Sequence, residues 1–423
     1  MSKIDTLCVQ AGYEPKNGEP RVVPIVQSTT YAYDTASGLA DLFDLKADGY
    51  FYTRLANPTV SALEEKLCAL DGGTLAIACA SGMSATLLAI LNVCNAGDNI
   101  VSSRAIYGGT YNLFSITLKK YGIECRFFDP DDSEDAIDAL VDEHTKVIFA
   151  ETLANPTIVV LDFEKIARIA SKHKVLFMVD NTLVTPVLFR AKEWGANIVI
   201  YSSSKYLDGH AVALGGVIVD LGNFDYTATN RYEEFLVPDE SYHGLVYSTL
   251  GNKAFGVKCR VQMMRDLGAI MSPQNAFLTN LGMETLALRM QRHSENATQV
   301  AKFLSQNDKV EWVKHPSLED DKYHDLAKKY LPDGMGGMMS FGVKGGSEKA
   351  SAFMEKLKMI KIVTHVADAR SCVLHPASTT HRQLSKADLE AIGIADNLIR
   401  LSVGIENVED IIADLSQALD AVE

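Results

Sequence analysis

The stretch YSSSKYLDGH at 201–210 holds the residues best suited to chemistry in this chain. Lys205 follows a compact apolar run and three serines, and Gly209 comes close behind. A lysine amine at the end of a buried strand can form a Schiff base with an aldehyde, and serine hydroxyls can hold a phosphate. Asp180 lies about 25 residues earlier, at the end of a second apolar run, VLFMV. A carboxylate there is costly unless a positive charge or hydrogen bonds meet it. An amine for the imine, a carboxylate for a pyridinium nitrogen, a phosphate cradle and a flat group against the ring are what pyridoxal chemistry requires. The pattern therefore points to pyridoxal 5'-phosphate as cofactor, with Lys205 as its anchor.

The remaining parts can be found at intervals along the chain. Ser202 and Ser204 are two apart, so in an extended segment they face the same side and could both donate to one phosphate. Gly82 and Met83 sit in a small-residue turn between an apolar strand (75–79) and a helix (84–93). Free amides and the dipole at such a helix start favour an anion; a tight turn without ligand is the other reading. Tyr107, opening YGGT, could stack on a ring or simply pack in a core. Arg400, within the apolar strand LIRLSVGIE, could clamp a substrate carboxylate in a bidentate fork or form a structural ion pair. Competing chemistries have little support. There is no G-x-G-x-x-G, no P-loop, no G-x-S-x-G and no H-E-x-x-H, and the 10 histidines are scattered, so no metal site is expected.

These residues need a scaffold that brings strand ends together. Strands at 75–79, 99–102, 124–128, 146–151, 175–180, 197–201 and 216–220 alternate with helices at 58–71, 84–93, 108–121, 133–141, 163–173 and 187–194. Such alternation predicts an α/β domain with a mostly parallel, buried sheet, whose ligands bind beyond the C-terminal strand ends. Asn57-Pro58 reads as a helix start, Gly72-Gly73 as its end, and Asn407 as the cap of the last helix. A longer helical region spans 275–304. The chain divides into an aromatic-rich arm (1–57), a large domain (58–263) and a smaller C-terminal α/β domain (264–423). From pattern alone, the arm could lie on a partner subunit or on its own domain.

The totals agree with this reading. At 423 residues, the chain is too long for one typical core. A net charge of −14 argues against nucleic acid as the main partner. The 7 cysteines form no C-x-x-C pair, which suggests reduced, buried thiols in a cytoplasmic protein. No apolar run reaches the ~20 residues of a membrane helix.

Taken together, YTRLANPT (52–59), ASGMSA (80–85), YGGT (107–110), ETLANPT (151–157), VDNT (179–182), SSSKY (202–206), HPASTTH (375–381) and IRLSVGIE (399–406) resemble the Cys/Met-metabolism family of PLP enzymes. The resemblance implies the fold type I, aspartate aminotransferase-like architecture and a homotetramer built as a dimer of dimers with shared active sites. It implies that Lys205 forms the Schiff base, Asp180 pairs with the ring nitrogen and Tyr107 stacks on the ring. Gly82, Met83, Ser202 and Ser204 would hold the phosphate, and Tyr52 and Arg54 would reach the phosphate of the neighbouring subunit. Asn155, Arg400 and His365 would face the substrate. His365 stands where relatives often carry serine or asparagine. Within the family, PDESYHGL (238–245) and HPASTTHRQLS are similar to the branch that performs γ-replacement on O-acetyl-L-homoserine with sulfide or methanethiol. Gly109 replaces the reactive cysteine of γ-lyases, and Gly209-His210-Ala211 lacks the aspartate common in lyases. A γ-lyase or cystathionine-type activity is the alternative.

Overall fold

The computed structural model describes residues 2–380, 382, 389 and 393–422. The end of HPASTTHRQLS, at 381 and 383–385, lies outside the described residues. Two sheets organise the chain. The first contains β1 (Leu75–Cys79), β2 (Asn99–Ser103), β3 (Glu124–Phe128), β4 (Thr145–Glu151), β5 (Leu176–Asp180), β6 (Ile198–Tyr201) and β7 (Gly216–Asp220). Their order is β1-β7-β6-β5-β4-β2-β3. β7 runs antiparallel to both of its neighbours, and the other strands share one direction. The ends of β4, β5 and β6 therefore meet along one edge.

Alternate residues of each strand enter different cores, as expected for a sheet covered on both faces. Phe177 and Val179 join one hydrophobic cluster, while Leu176 and Met178 join the other. Helices supply both covers. The helix Pro58–Asp71 starts where expected: the Asn57 side chain accepts the Thr59 and Val60 amides, and Gly72 ends the helix at φ 67°. Val60, Leu63, Leu67 and Leu70 are buried on one stripe. All 7 cysteines are free, and five of them are buried.

The second sheet contains β8 (Val310–Lys314), β9 (Met338–Val343), β10 (Lys361–Ile362), β11 (Cys372–Leu374) and β12 (Leu398–Ser402), in the order β10-β11-β12-β9-β8. Asn407 caps the closing helix Val408–Asp420 by accepting the Glu409 amide. The long helix Leu286–Ser305 joins the two halves. Met290 packs in the first core, and Ala297 to Leu304 pack in the core of the second sheet.

Three helical expectations are modified. The segment 187–194 is not one helix: Thr185–Leu188 and Ala191–Trp194 flank an extended Phe189. Phe189 is drawn out because its ring packs 4.3 Å from that of Phe163 and its carbonyl accepts from Asn181 Nδ2. The segment 108–121 is helical but changes pitch, with a π turn at Leu113–Thr117. The 275–304 region breaks into Pro273–Met283 and Leu286–Ser305 around Glu284 and Thr285. Local periodicity detects each helix, while packing sets the breaks.

One ion pair, between buried Glu64 and partly buried Arg260, ties these layers to the strand that leads into the 80–85 turn. Glu64 accepts from Arg260 Nη2 at 2.8 Å and from the Ala78 amide at 2.8 Å. Arg260 also donates to the carbonyls of Leu55 and Ala76. Arg260→Met should therefore lower unfolding stability by about 3–5 kcal/mol in urea titration, because it strands a buried carboxylate.

Candidate active site

β6 ends at Tyr201, and the chain then turns. The Lys205 amide donates to Ser202 O at 3.2 Å, and the Gly209 amide donates to Lys205 O at 2.7 Å. The extended geometry expected to align Ser202 with Ser204 is therefore absent. The turn directs the Ser204 hydroxyl to Gly215, where it donates to the carbonyl and accepts the amide, both at 3.1 Å. Ser204 still borders the cavity, together with Ser202 and Lys205. Among the described residues, no carboxylate pairs with the Lys205 amine. Burial first, and then the nearby Arg400 charge, pulls that amine down to about 8.

Across the cavity, the Asp180 and Glu151 carboxylates end adjacent parallel strands in register. Asp180 Oδ1 accepts the Thr182 amide at 3.0 Å, and Glu151 Oε1 accepts the Tyr107 amide at 2.5 Å. Neither has an ion-pair partner among the described residues. Burial raises both carboxyl groups above the usual range, and Asp180 adds to the rise at Glu151. Glu151 has no role in the sequence reading beyond its place at a strand end. Its part here depends on sheet register, which that reading does not supply.

Tyr107 opens the helix Gly108–Asn112, half-exposed at the cavity mouth, so it is not a core residue. A Cβ at Gly109 would come within 2.5 Å of the Tyr107 ring, so the ring lies where any side chain at 109 would collide with it. Arg400 is buried, with Nη2 donating to the carbonyls of Thr364 and His365 at 3.2 and 3.3 Å. It has no acidic partner among the described residues, and its Nε is buried without a hydrogen bond. Burial lowers its affinity for the proton, to about 10. Asn155 borders the same cavity, and its Oδ1 is also buried and unpartnered. His365 reaches the site from the second sheet's side, 3.2 Å from the Lys205 amine.

The helix Gly82–Leu91 starts at the cavity. Ser81 caps it by accepting the Ser84 amide, which leaves the Gly82 and Met83 amides at the open first turn. A Cβ at Gly82 would fall 2.7 Å from Ser202 Cβ, so only glycine permits this approach. Tyr52 and Arg54 do not join the group: both are exposed, and the Arg54 guanidinium lies 5.2 Å over the Tyr52 ring.

A cavity of about 290 Å³ thus holds an unpaired amine, unpaired acids, unpartnered Asn155 and Arg400 atoms and a glycine-lined helix start. This donor set fits pyridoxal 5'-phosphate. The acids suit a protonated ring nitrogen, the amine suits an aldehyde, and the helix start suits a phosphate.

The chain as a whole is similar to known proteins. A family model described as Cys/Met metabolism PLP-dependent enzyme matches residues 5–420. A homocysteine synthase of Schizosaccharomyces pombe is 43% identical, over 99% of this chain and 98% of its own. An O-acetyl-L-homoserine sulfhydrylase of Leptospira meyeri is 42% identical, over 99% of this chain and 96% of its own. The crystal structure of a Campylobacter jejuni protein proposed as an O-acetylhomoserine (thiol)-lyase superposes with a TM-score of 0.96 at 40% identity, covering 99% of this chain and 100% of that one. It carries N'-pyridoxyl-lysine-5'-monophosphate at position 205.

Gly82→Ala places a methyl group against Ser202. It should weaken retention of pyridoxal 5'-phosphate about tenfold, an overpacking cost of about 1–3 kcal/mol, measured by equilibrium dialysis.

Proposed function

This chain belongs to the Cys/Met metabolism family of PLP-dependent enzymes, and from that premise we propose that it catalyses γ-replacement on O-acetyl-L-homoserine. Sulfide displaces acetate and gives L-homocysteine; methanethiol in its place gives methionine. The observation that carries this reading is that the Lys205 amine, the Asp180 carboxylate and the unpaired Arg400 guanidinium all border one cavity. The relatives named for homocysteine synthesis and O-acetyl-L-homoserine sulfhydrylation support the choice of substrate.

Bound pyridoxal 5'-phosphate supplies an electron sink that makes the substrate's Cα and Cβ protons removable. The chain's own residues do the rest. Lys205, held near 8 by burial and Arg400, is an amine able to take and return protons close to neutral pH. Asp180 keeps a proton on the ring nitrogen. Tyr107 covers the ring. The Gly82 and Met83 amides, with Ser202 and the partly committed Ser204, hold the phosphate. Arg400 holds the substrate α-carboxylate in a fork, and Asn155 orients polar groups beside it.

The assembly belongs to the same proposal. Tyr33, Phe43 and Tyr52 expose their rings on the arm. This supports an arm laid on a second copy, with Tyr52 and Arg54 completing the partner's phosphate site in a homotetramer. Free, mostly buried thiols support a cytoplasmic location. Among the described residues, no helix is long and apolar enough to cross a membrane.

Lys205→Ala should lose the borohydride-sensitive yellow colour and slow homocysteine formation by about 10⁴-fold or more. A steady-state panel of O-acetyl-, O-succinyl- and O-phosphohomoserine against sulfide and methanethiol should rank the acetyl ester with sulfide first. Release of 2-oxobutanoate from methionine without added nucleophile would favour a γ-lyase instead.

A further inference from the structure

Glu151 borders the cavity but has no part in the chemistry proposed above. It is 7% exposed and stands beside a second acid. Burial first, and then the Asp180 charge, works against its ionised form. What the carboxylate touches accounts for its place. Oε1 accepts the Tyr107 amide at 2.5 Å, and the Asn155 amide also stabilises the charged form. A carboxylate offers two acceptor oxygens to these two amides, whereas a glutamine side chain offers one.

The two amides belong to the two loops that face each other across the cavity. Tyr107 follows β2 and opens the helix Gly108–Asn112. Its ring is 50% exposed, so the main chain that carries the ring sets its place more than packing does. Asn155 follows β4, in a loop closed on itself: the Ala154 amide donates to Val159 O at 2.9 Å, and the Ile158 amide to Ala154 O at 2.8 Å. Ile158 sits at φ 58°, a left-handed backbone that a branched residue adopts only where its surroundings over-determine it. On the far side, Ser340 Oγ of β9 donates to Pro156 O at 2.6 Å. On the near side, the loop is held at Glu151.

Glu151 is itself fixed to the strand that carries Asp180. The two acids are paired in register, and the next residue, Thr152, donates its amide to Asp180 O at 3.0 Å. The ring cover, the polar edge of the cavity and the acid for the ring nitrogen therefore meet at one side chain.

We propose that Glu151 is a positioning residue for the cofactor. Its carboxylate holds the main chain at Tyr107 and at Asn155, and so sets both against the end of β5. It acts through those two residues and carries no proton in the reaction. What matters is its reach to both amides, because a shift of about 1 Å in groups that seat a reacting ring can lower turnover about 100-fold.

This inference rests on the cavity holding pyridoxal 5'-phosphate, and the test keeps the two apart. Holoenzyme variants are compared by circular dichroism in the visible cofactor band, which reports how the ring is seated, and by equilibrium dialysis of pyridoxal 5'-phosphate. Glu151→Ala should keep the far-ultraviolet spectrum of wild type but weaken the visible band and bind the cofactor about tenfold less tightly, since both amides lose their acceptor. Its kcat with O-acetyl-L-homoserine should fall about 100-fold. Glu151→Gln keeps the reach and one acceptor oxygen, and should restore cofactor affinity to within about threefold of wild type. Glu151→Asp keeps the charge but is one methylene short, and should fall with Glu151→Ala; these two variants serve if Glu151→Ala does not fold. In a Tyr107→Ala background, adding Glu151→Ala should weaken cofactor binding by only about threefold, because residues that act through one another are not additive. An aspartate variant as good as the glutamine one assigns the effect to charge and overturns the inference. An unchanged band and affinity in Glu151→Ala, or a full tenfold loss in the Tyr107→Ala background, overturns it as well. Absence of any visible cofactor band in reconstituted wild type overturns the reading of the site, and the inference with it.

Discussion

Two carboxylates placed side by side, with no cation paired to either among the described residues, are the constraint on which this structure depends. Glu151 and Asp180 end β4 and β5 in register, and Lys205 and Arg400 border the same cavity without pairing with either acid. Taking an ion out of water costs several kcal/mol when no partner compensates. A chain optimised for its own stability would bring these opposite charges together. Here hydrogen bonds to amides hold them apart: Thr182 binds Asp180, and Tyr107 binds Glu151. The cavity therefore favours a ligand with positive charge on one side and anionic or electrophilic groups on the other.

The separation requires rigid strand ends, and a buried network beneath the site supplies them. Asp71 accepts from the Tyr201 hydroxyl at 2.7 Å, Tyr201 accepts from Asn181, and Thr152 donates to Asn181. Thr182 Oγ1 accepts the Ser202 amide at 2.8 Å and so joins the end of β5 to the lysine loop. Arg289, itself buried, donates to Tyr206 O, and its guanidinium fills the space where a side chain at Gly209 would go. Gly209, at φ 70°, is thus the point at which the loop turns back under the site.

The second sheet completes the site. Its strand β12 carries Arg400, and the segment between β10 and β11 carries His365 and Asp368. Backbone bonds from Ala369 to Gly209 and from Ile405 to Ala369 join this half to the lysine loop. The PDESYHGL loop does similar work at the periphery, where Tyr242 donates to Phe43 O in the arm at 2.6 Å. Residues far apart in the chain therefore converge on one amine, and small shifts between the halves would change what that amine meets.

The sequence by itself determined what local chemistry controls. Apolar runs ending in Asp180 and before Lys205 marked two strand ends, because a buried strand leaves only its end residues to face solvent or ligand. Asn57 with Pro58, and Asn407, marked helix starts, because capping is satisfied within three residues. The small turn at 80–83 marked another helix start for the same local reason. Tertiary structure alone decided the rest. The Ser204 hydroxyl turned to Gly215, the 187–194 helix opened at Phe189, and Glu151 came level with Asp180. His365 met a lysine 160 residues away. Spacing along a chain fixes which face a side chain takes, but register and the packing of one sheet against another fix what it touches, and these depend on contacts between distant segments.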